Sequence, residues 1–186
     1  PNLDAKAFLP NKNPVSEMVL VDVNGAVSAD DLAALTAQLG KKITTPIRSI
    51  AVQQNLDAAY NSDRQKHHAE SIGYLDGIYV QQAPDAHYVV LVKEDIYFSK
   101  DSFVFAWTLP HERRTILSVK RLAVGVTPEL YRGRISKLVL RGAGLVNRLH
   151  SSGCVMGYAG DWSELDALSS DYCAEDMDSL SKNGGV

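Results

Sequence analysis

The run His87-Tyr-Val-Val-Leu-Val92 constrains this chain more than any other segment. It is apolar after its first residue, rich in valine and far too short to span a membrane, so it reads as a buried strand. Such a strand needs neighbours in a sheet and elements to cover it. Met18-Val-Leu-Val-Asp-Val23 is a second run of this kind, and Asn24-Gly25 turns the chain after it. Ser28 then precedes Asp30, Asp31 and the apolar positions Leu32, Ala33, Leu35 and Leu39. An N-cap residue, acids in the first turn and a glycine after the end predict a helix that stops at Gly40. Pro46 to Val52 reads as a strand, and Arg64 to about Val80 as a helix with Ile72, Leu75 and Ile78 on one face. Phe103 to Leu109 and Thr115 to Leu122 read as a hairpin joined through Pro110-His-Glu-Arg-Arg114. Phe103, Phe105 and Trp107 alternate, which places them on one face in the core. Pro128 opens a long helix carrying Leu130, Ile135, Leu138, Leu145 and Leu149. This order predicts an α/β (α+β) single domain: a mixed twisted sheet with packed helices and a long central helix.

At 186 residues the chain suits one domain, and 45 % hydrophobic residues suffice for a core without staples. Lys plus Arg is 19 against 22 for Asp plus Glu, a net charge of −3. No basic excess exists to bind phosphates, so no nucleic-acid partner is expected. No apolar run reaches the ~18 residues of a transmembrane helix. Two cysteines allow one disulfide and exclude a four-cysteine zinc site. Residues 1–17, with Pro10, Asn11, Asn13 and Pro14, read as an N-terminal arm, 18–180 as the domain and 181–186 as a frayed tail. The chain opens on Pro1, as either a removed signal peptide or a trimmed start would leave it.

Several phrases, in order, carry a family resemblance. Tyr60 stands with Asp63-Arg64-Gln65, followed by Val92-Lys-Glu-Asp95 and Phe103-Val-Phe105. Leu117-Ser-Val-Lys-Arg-Leu122 comes next, then Arg134 with Lys137, and Cys154-Val-Met156 with a later Tyr172-Cys173. From about Met18 to Cys173 this set resembles the archaemetzincins, a family of zinc metallopeptidases. The resemblance implies a zincin-like fold. Its central helix would carry H-E-x-x-H-x-x-G-x-x-H, with a methionine beneath the site in the following turn. Two His at i and i+4 face one way and share a zinc ion, while the Glu polarises the zinc-bound water.

This sequence departs from the family pattern at its centre. In the matching window, Lys137 to His150, Arg141 stands at the first His, Gly142 at the Glu and Leu145 at the second His. Gly144 matches a glycine often found before the second His, and Arg148 takes the place of the motif's later glycine. The third His falls on Ser151, with His150 one residue short. A protonated Arg is no normal zinc ligand, and Leu has no donor atom. A second, four-cysteine zinc site implied by the resemblance would fall on Ser152, Cys154, Cys173 and Asp176. The two survivors of a once-shared site would stand close together. They would either close a disulfide, worth about 3 kcal/mol, or remain thiols; a metal site of two cysteines and Asp176 is a third arrangement. The disulfide is the one expected.

The resemblance therefore implies a catalytically inactive metallopeptidase homologue that binds a peptide or protein, with no catalytic or structural zinc. The alternative is an active metallopeptidase or hydrolase with a non-standard metal site drawn from His67, His68, His87, His111 and His150, no two of which are spaced i, i+4. A scaffold without a usable cleft is the third reading. Candidate cleft or ligand contacts are Arg141, His150, Tyr97 and Phe98. Arg141 would hold a carboxylate where zinc would have sat, from this chain or a ligand terminus; the plainer reading is a surface arginine. His67 and His68, pointing about 100° apart on a helix, read as surface residues. His111-Glu112 lacks a second His at Thr115 and reads as a solvated turn, and Glu94-Asp95 as a structural turn with N-cap duties. A disulfide would favour export, periplasmic or secreted, over the cytoplasm. The oligomeric state stays open.

Overall fold

The computed structural model describes residues 14–75, 78, 83, 85–149 and 153–182. A five-stranded sheet forms its centre, in the order β2 (Ile47–Val52), β1 (Glu17–Val23), β5 (Ala86–Val92), β8 (Arg114–Ser118), β7 (Ala106–Leu109). The first four strands run parallel, and β7 closes the edge antiparallel to β8. The two apolar runs are the innermost strands, as their composition requires, because both faces of the sheet are covered. Met18, Leu20, Val89, Leu91 and Leu117 point into one apolar cluster. Val19, Val21, Val90, Val92 and Ile116 point into the other, following the two-residue period of a strand.

Helix α1 (Ala29–Leu39) covers the first face with its predicted caps: Ser28 Oγ accepts from Asp31 N–H, and Gly40 follows the last turn. Beside it lies α3 (Pro128–Val146), whose N-cap Thr127 accepts from Leu130 N–H. Arg132 ties the two helices by donating to Asp31 at 2.8 Å. The second face is covered by α2 (Ala69–Gly73) and a small sheet of β3 (Tyr60–Asn61), β4 (Lys66–His68) and β6 (Ile96–Tyr97).

The small sheet corrects the helix expected from Arg64. Gln65 takes φ +53°, which a right-handed helix cannot contain, and His67 N–H then donates to the Asp95 carbonyl at 3.0 Å. The helix starts only at Ala69. Ile72 and Ile78 are buried as their spacing implied, but not on one helix. Gly73 ends α2 against the sheet, where a Cβ would lie 2.9 Å from Leu109 and 3.0 Å from Ile116. His67 and His68 are half-buried rather than surface residues, His67 tilted on Tyr60 and His68 stacked on Phe98.

The hairpin is shorter than expected. Strand β7 starts after a bend at Phe105, so Phe103 and Phe105 pack into the first cluster and Trp107 into the second. His111 and Glu112 lie exposed in its turn. Asp95 is buried and holds Arg121 through two hydrogen bonds, 2.8 and 2.6 Å, so it serves an ion pair rather than an N-cap. The segment after α3 contains two short helices, α4 (Trp162–Ala167) and α5 (Ala174–Lys182). Arg134, 5 % exposed on α3, fixes α4 through two bonds to Asp166 at 2.7 and 2.6 Å.

Candidate functional site

Helix α3 forms the floor of a cleft of about 110 Å³ through Lys137, Leu138 and Arg141. One wall is β7 and the segment before it; the other is Val155 and the loop from Gly157 to Gly160. The sheet edge and the central helix are therefore brought together over Arg141, the first position of the family motif and the one of its described positions that lines the cleft. Arg141 opens into this cleft. Its Nε lies 3.4 Å from the Met156 carbonyl, and its guanidinium carbon 6.0 Å from the Tyr158 ring centre. Burial pushes the Arg141 pKa below the usual arginine value, against a smaller opposing pull from the Tyr158 phenol.

Gly142 faces the sheet rather than open space. A Cβ built there would lie 2.5 Å from Thr115 Oγ1 and 2.9 Å from its Cγ2. Thr115 is fully buried on β8 and cannot be pushed aside freely, because its hydroxyl is shared. His87 Nε2 lies 2.9 Å from Thr115 Oγ1, and Thr108 Oγ1 lies 3.1 Å from it. Leu145 packs half-buried against the first core cluster. Met156 sits in a one-turn 3₁₀ helix, Cys154–Met156, beneath Gly144, where an added Cβ would meet its Sδ and Cε.

Where the resemblance would place a zinc ion, the residues present do not fit it. A guanidinium, a glycine and a leucine replace two imidazoles and a carboxylate. Among the described residues, no three His, Cys, Asp or Glu side chains gather to hold a metal. His87 is committed to Thr115 inside the sheet, His67 and His68 to the small sheet, and His111 to an exposed turn. His150, Ser151 and Ser152 lie outside the described residues. Tyr97 and Phe98 belong to the small sheet and its flank, where Tyr97 accepts from Asn61 Nδ2 and Phe98 stacks on Trp107; neither lines the cleft.

Cys154 and Cys173 are joined in a disulfide, with Cα atoms 5.6 Å apart. It links the Met156 turn to the segment leading into α5. Tyr172, beside it, donates to the Leu140 carbonyl on α3 at 2.5 Å. Reduction, or Cys154→Ser with Cys173→Ser, is expected to cost about 3 kcal/mol by loop-closure entropy. The check is the shift in urea midpoint with and without reductant. An unchanged midpoint, after mass measurement has shown the bond open, would rule this contribution out.

Two residues of the site were missed in the sequence. Thr115 matters through packing across the sheet, which local patterning does not encode. Tyr158 is 71 % exposed and lines the cleft; Gly157 and Gly160 mark a turn-rich stretch around it, but no local signal singles out its ring.

No family model matches this chain, and no curated protein matches it. Solved structures do. An archaemetzincin from Methanopyrus kandleri is similar over 95 % of this chain and 98 % of its own, with TM-score 0.76 and 21 % identity. An archaemetzincin from Archaeoglobus fulgidus, solved in complex with malonate, is similar over 87 % of this chain and 99 % of its own, with TM-score 0.72 and 24 % identity. A zinc-dependent peptidase from Methanocorpusculum labreanum gives 87 % and 99 % coverage, TM-score 0.74 and 16 % identity. The chain has the archaemetzincin fold, zincin-like, as its sequence phrases imply. At these identities the likeness establishes the fold alone.

Proposed function

We propose that this chain is a non-hydrolytic protein with the archaemetzincin fold, acting by binding a peptide or protein in the cleft over Arg141. The observation that carries the reading is the packing behind Gly142. The first carbon of a side chain bearing a general-base carboxylate at 142 would overlap Thr115, itself fixed by His87 and Thr108. A lost ligand alone leaves an empty site, whereas this packing leaves a filled one. Binding needs only what remains. Among the described residues β7 ends the sheet, with no strand on its outer backbone edge, which leaves that edge open to strand addition. The disulfide supports export to an oxidising compartment, periplasmic or extracellular.

Elemental analysis of purified protein tests the reading together with a peptidase assay on casein, with and without chelator. The expected result is zinc well below one per chain after dialysis and no chelator-sensitive cleavage. One tightly held zinc per chain, or cleavage abolished by chelator, overturns it.

A further inference from the structure

Arg141 differs from the fully buried arginines of this protein. Arg113 and Arg134 each reach a carboxylate, Asp85 at 3.3 Å and Asp166 at 2.6 Å. Arg141 is half-buried, yet among the described residues no carboxylate lies within ion-pair distance of it. A partly desolvated guanidinium without a counter-ion is unfavourable, so its surroundings favour an incoming anion. Its planar fork matches a carboxylate better than it matches a single-point acceptor.

The cleft narrows the choice of anion. Two cations and one acid line it: Arg141, Lys137 and the exposed Asp101. Lys137 Nζ is held by the Leu165 and Asp166 carbonyls, so it adds positive charge without being neutralised there. Phe103, Phe105, Leu138, Val155, Leu165 and Leu168 supply an apolar lining. At about 110 Å³ the space is well below the ~300–1,000 Å³ of pockets that enclose whole small ligands. It suits the end of a longer molecule, and the free edge of β7 runs beside it.

We infer that the cleft takes the C-terminus of a peptide: the terminal carboxylate pairs with Arg141, the last, apolar side chain enters the cleft, and the preceding residues add along β7. This rests on the peptide-binding reading above and makes it specific. The exposed Asp101 of the lining disfavours acidic residues upstream of the terminus.

The test uses the whole protein, immobilised, and two pools of hexapeptides. Both pools are random at the first five positions and end in Leu, Ile, Val or Phe; one ends in a free carboxylate and the other in a carboxamide. Retained peptides are identified by mass spectrometry, and the best acid is titrated by fluorescence polarisation. Retention of the acid pool over the amide pool is expected. Arg141→Gln is expected to weaken the best acid about ten- to hundredfold, to the level of its amide, and Arg141→Lys to weaken it less. Equal retention of acid and amide overturns the terminus assignment while leaving the peptide-binding reading in place. Retention of neither pool overturns both. Thermal stabilisation by succinate without retention of either pool points to a small dicarboxylate and likewise overturns the assignment. If Arg141→Gln fails to fold, the acid–amide comparison on the unaltered protein decides.

Discussion

Gly142→Glu is expected to cost about 3–5 kcal/mol, enough to unfold much of a protein of ordinary stability. Two effects combine at this position. The first carbon of any side chain would overlap Thr115 Oγ1, 2.5 Å away, and overpacking of this kind costs about 1–3 kcal/mol. The remaining atoms would bring a carboxylate into the buried region between α3 and β8, beside the Thr115 hydroxyl and the His87 imidazole that burial keeps uncharged. Gly142→Ala separates the two effects. It keeps the overlap, gains about 1 kcal/mol of helix propensity and introduces no charge, so a net loss of about 0–2 kcal/mol is expected. Thr115→Ala removes the obstacle. In that background Gly142→Ala is expected to become neutral or to stabilise by up to about 1 kcal/mol, a coupling that a double-mutant cycle in urea reads directly. A Gly142→Glu variant with the wild-type midpoint would show that the helix and β8 can part, and with it the main support for a non-hydrolytic role would go. The same packing means that histidines placed at 141 and 145 are not expected by themselves to create a zinc peptidase site.

Residue 142 also shows where sequence reading stops. Strands β1 and β5, helix α1 with Ser28 and Gly40, the hairpin turn and α3 with Thr127 and Pro128 are all written in local terms: apolar period, capping chemistry, turn residues. The missing carboxylate at 142 was equally legible, because a motif is a local string. Its replacement was not, since Thr115 reaches Gly142 from another element. Strand β4 failed for the same reason. Lys66–His68 becomes a strand by pairing with Ile96–Tyr97, a partner far along the chain, while the spacing of Ile72, Leu75 and Ile78 imitates a helix. Trp107 was misplaced because strict alternation assumes an unbroken strand, and the bend at Phe105 breaks it. Helix α4 was readable in principle. Asp161 accepts from Glu164 N–H, and Glu164 accepts in turn from Gly160 N–H, a capping signature present in the letters D-W-S-E.

Between pH 7 and pH 5 the protein is expected to lose about 2 kcal/mol of stability to one buried histidine. His87 is fully buried on β5. Burial, with a smaller contribution from the positive Arg113, pushes its pKa from 6.5 to about 3. In the unfolded chain the same imidazole takes up a proton near its ordinary value. Below that value the unfolded state binds more protons than the native state, so stability falls with pH, by about 1.4 kcal/mol per unit, until the folded pKa is reached. The contribution is thus fully present above pH ~6.5 and is lost on acidification, the opposite of a histidine held charged by a carboxylate. His67, also lowered by burial, adds a slope of the same sign, so the informative quantity is a difference between variants. His87→Gln is expected to lower the urea midpoint at pH 7 but to remove most of the loss between pH 7 and pH 5; equal slopes in the two proteins would refute the assignment. Thr115→Val separates burial from hydrogen bonding. It is expected to cost about 1–3 kcal/mol at every pH, because His87 Nε2 loses its hydroxyl partner, and to leave the slope in place, because desolvation rather than the hydrogen bond depresses the pKa.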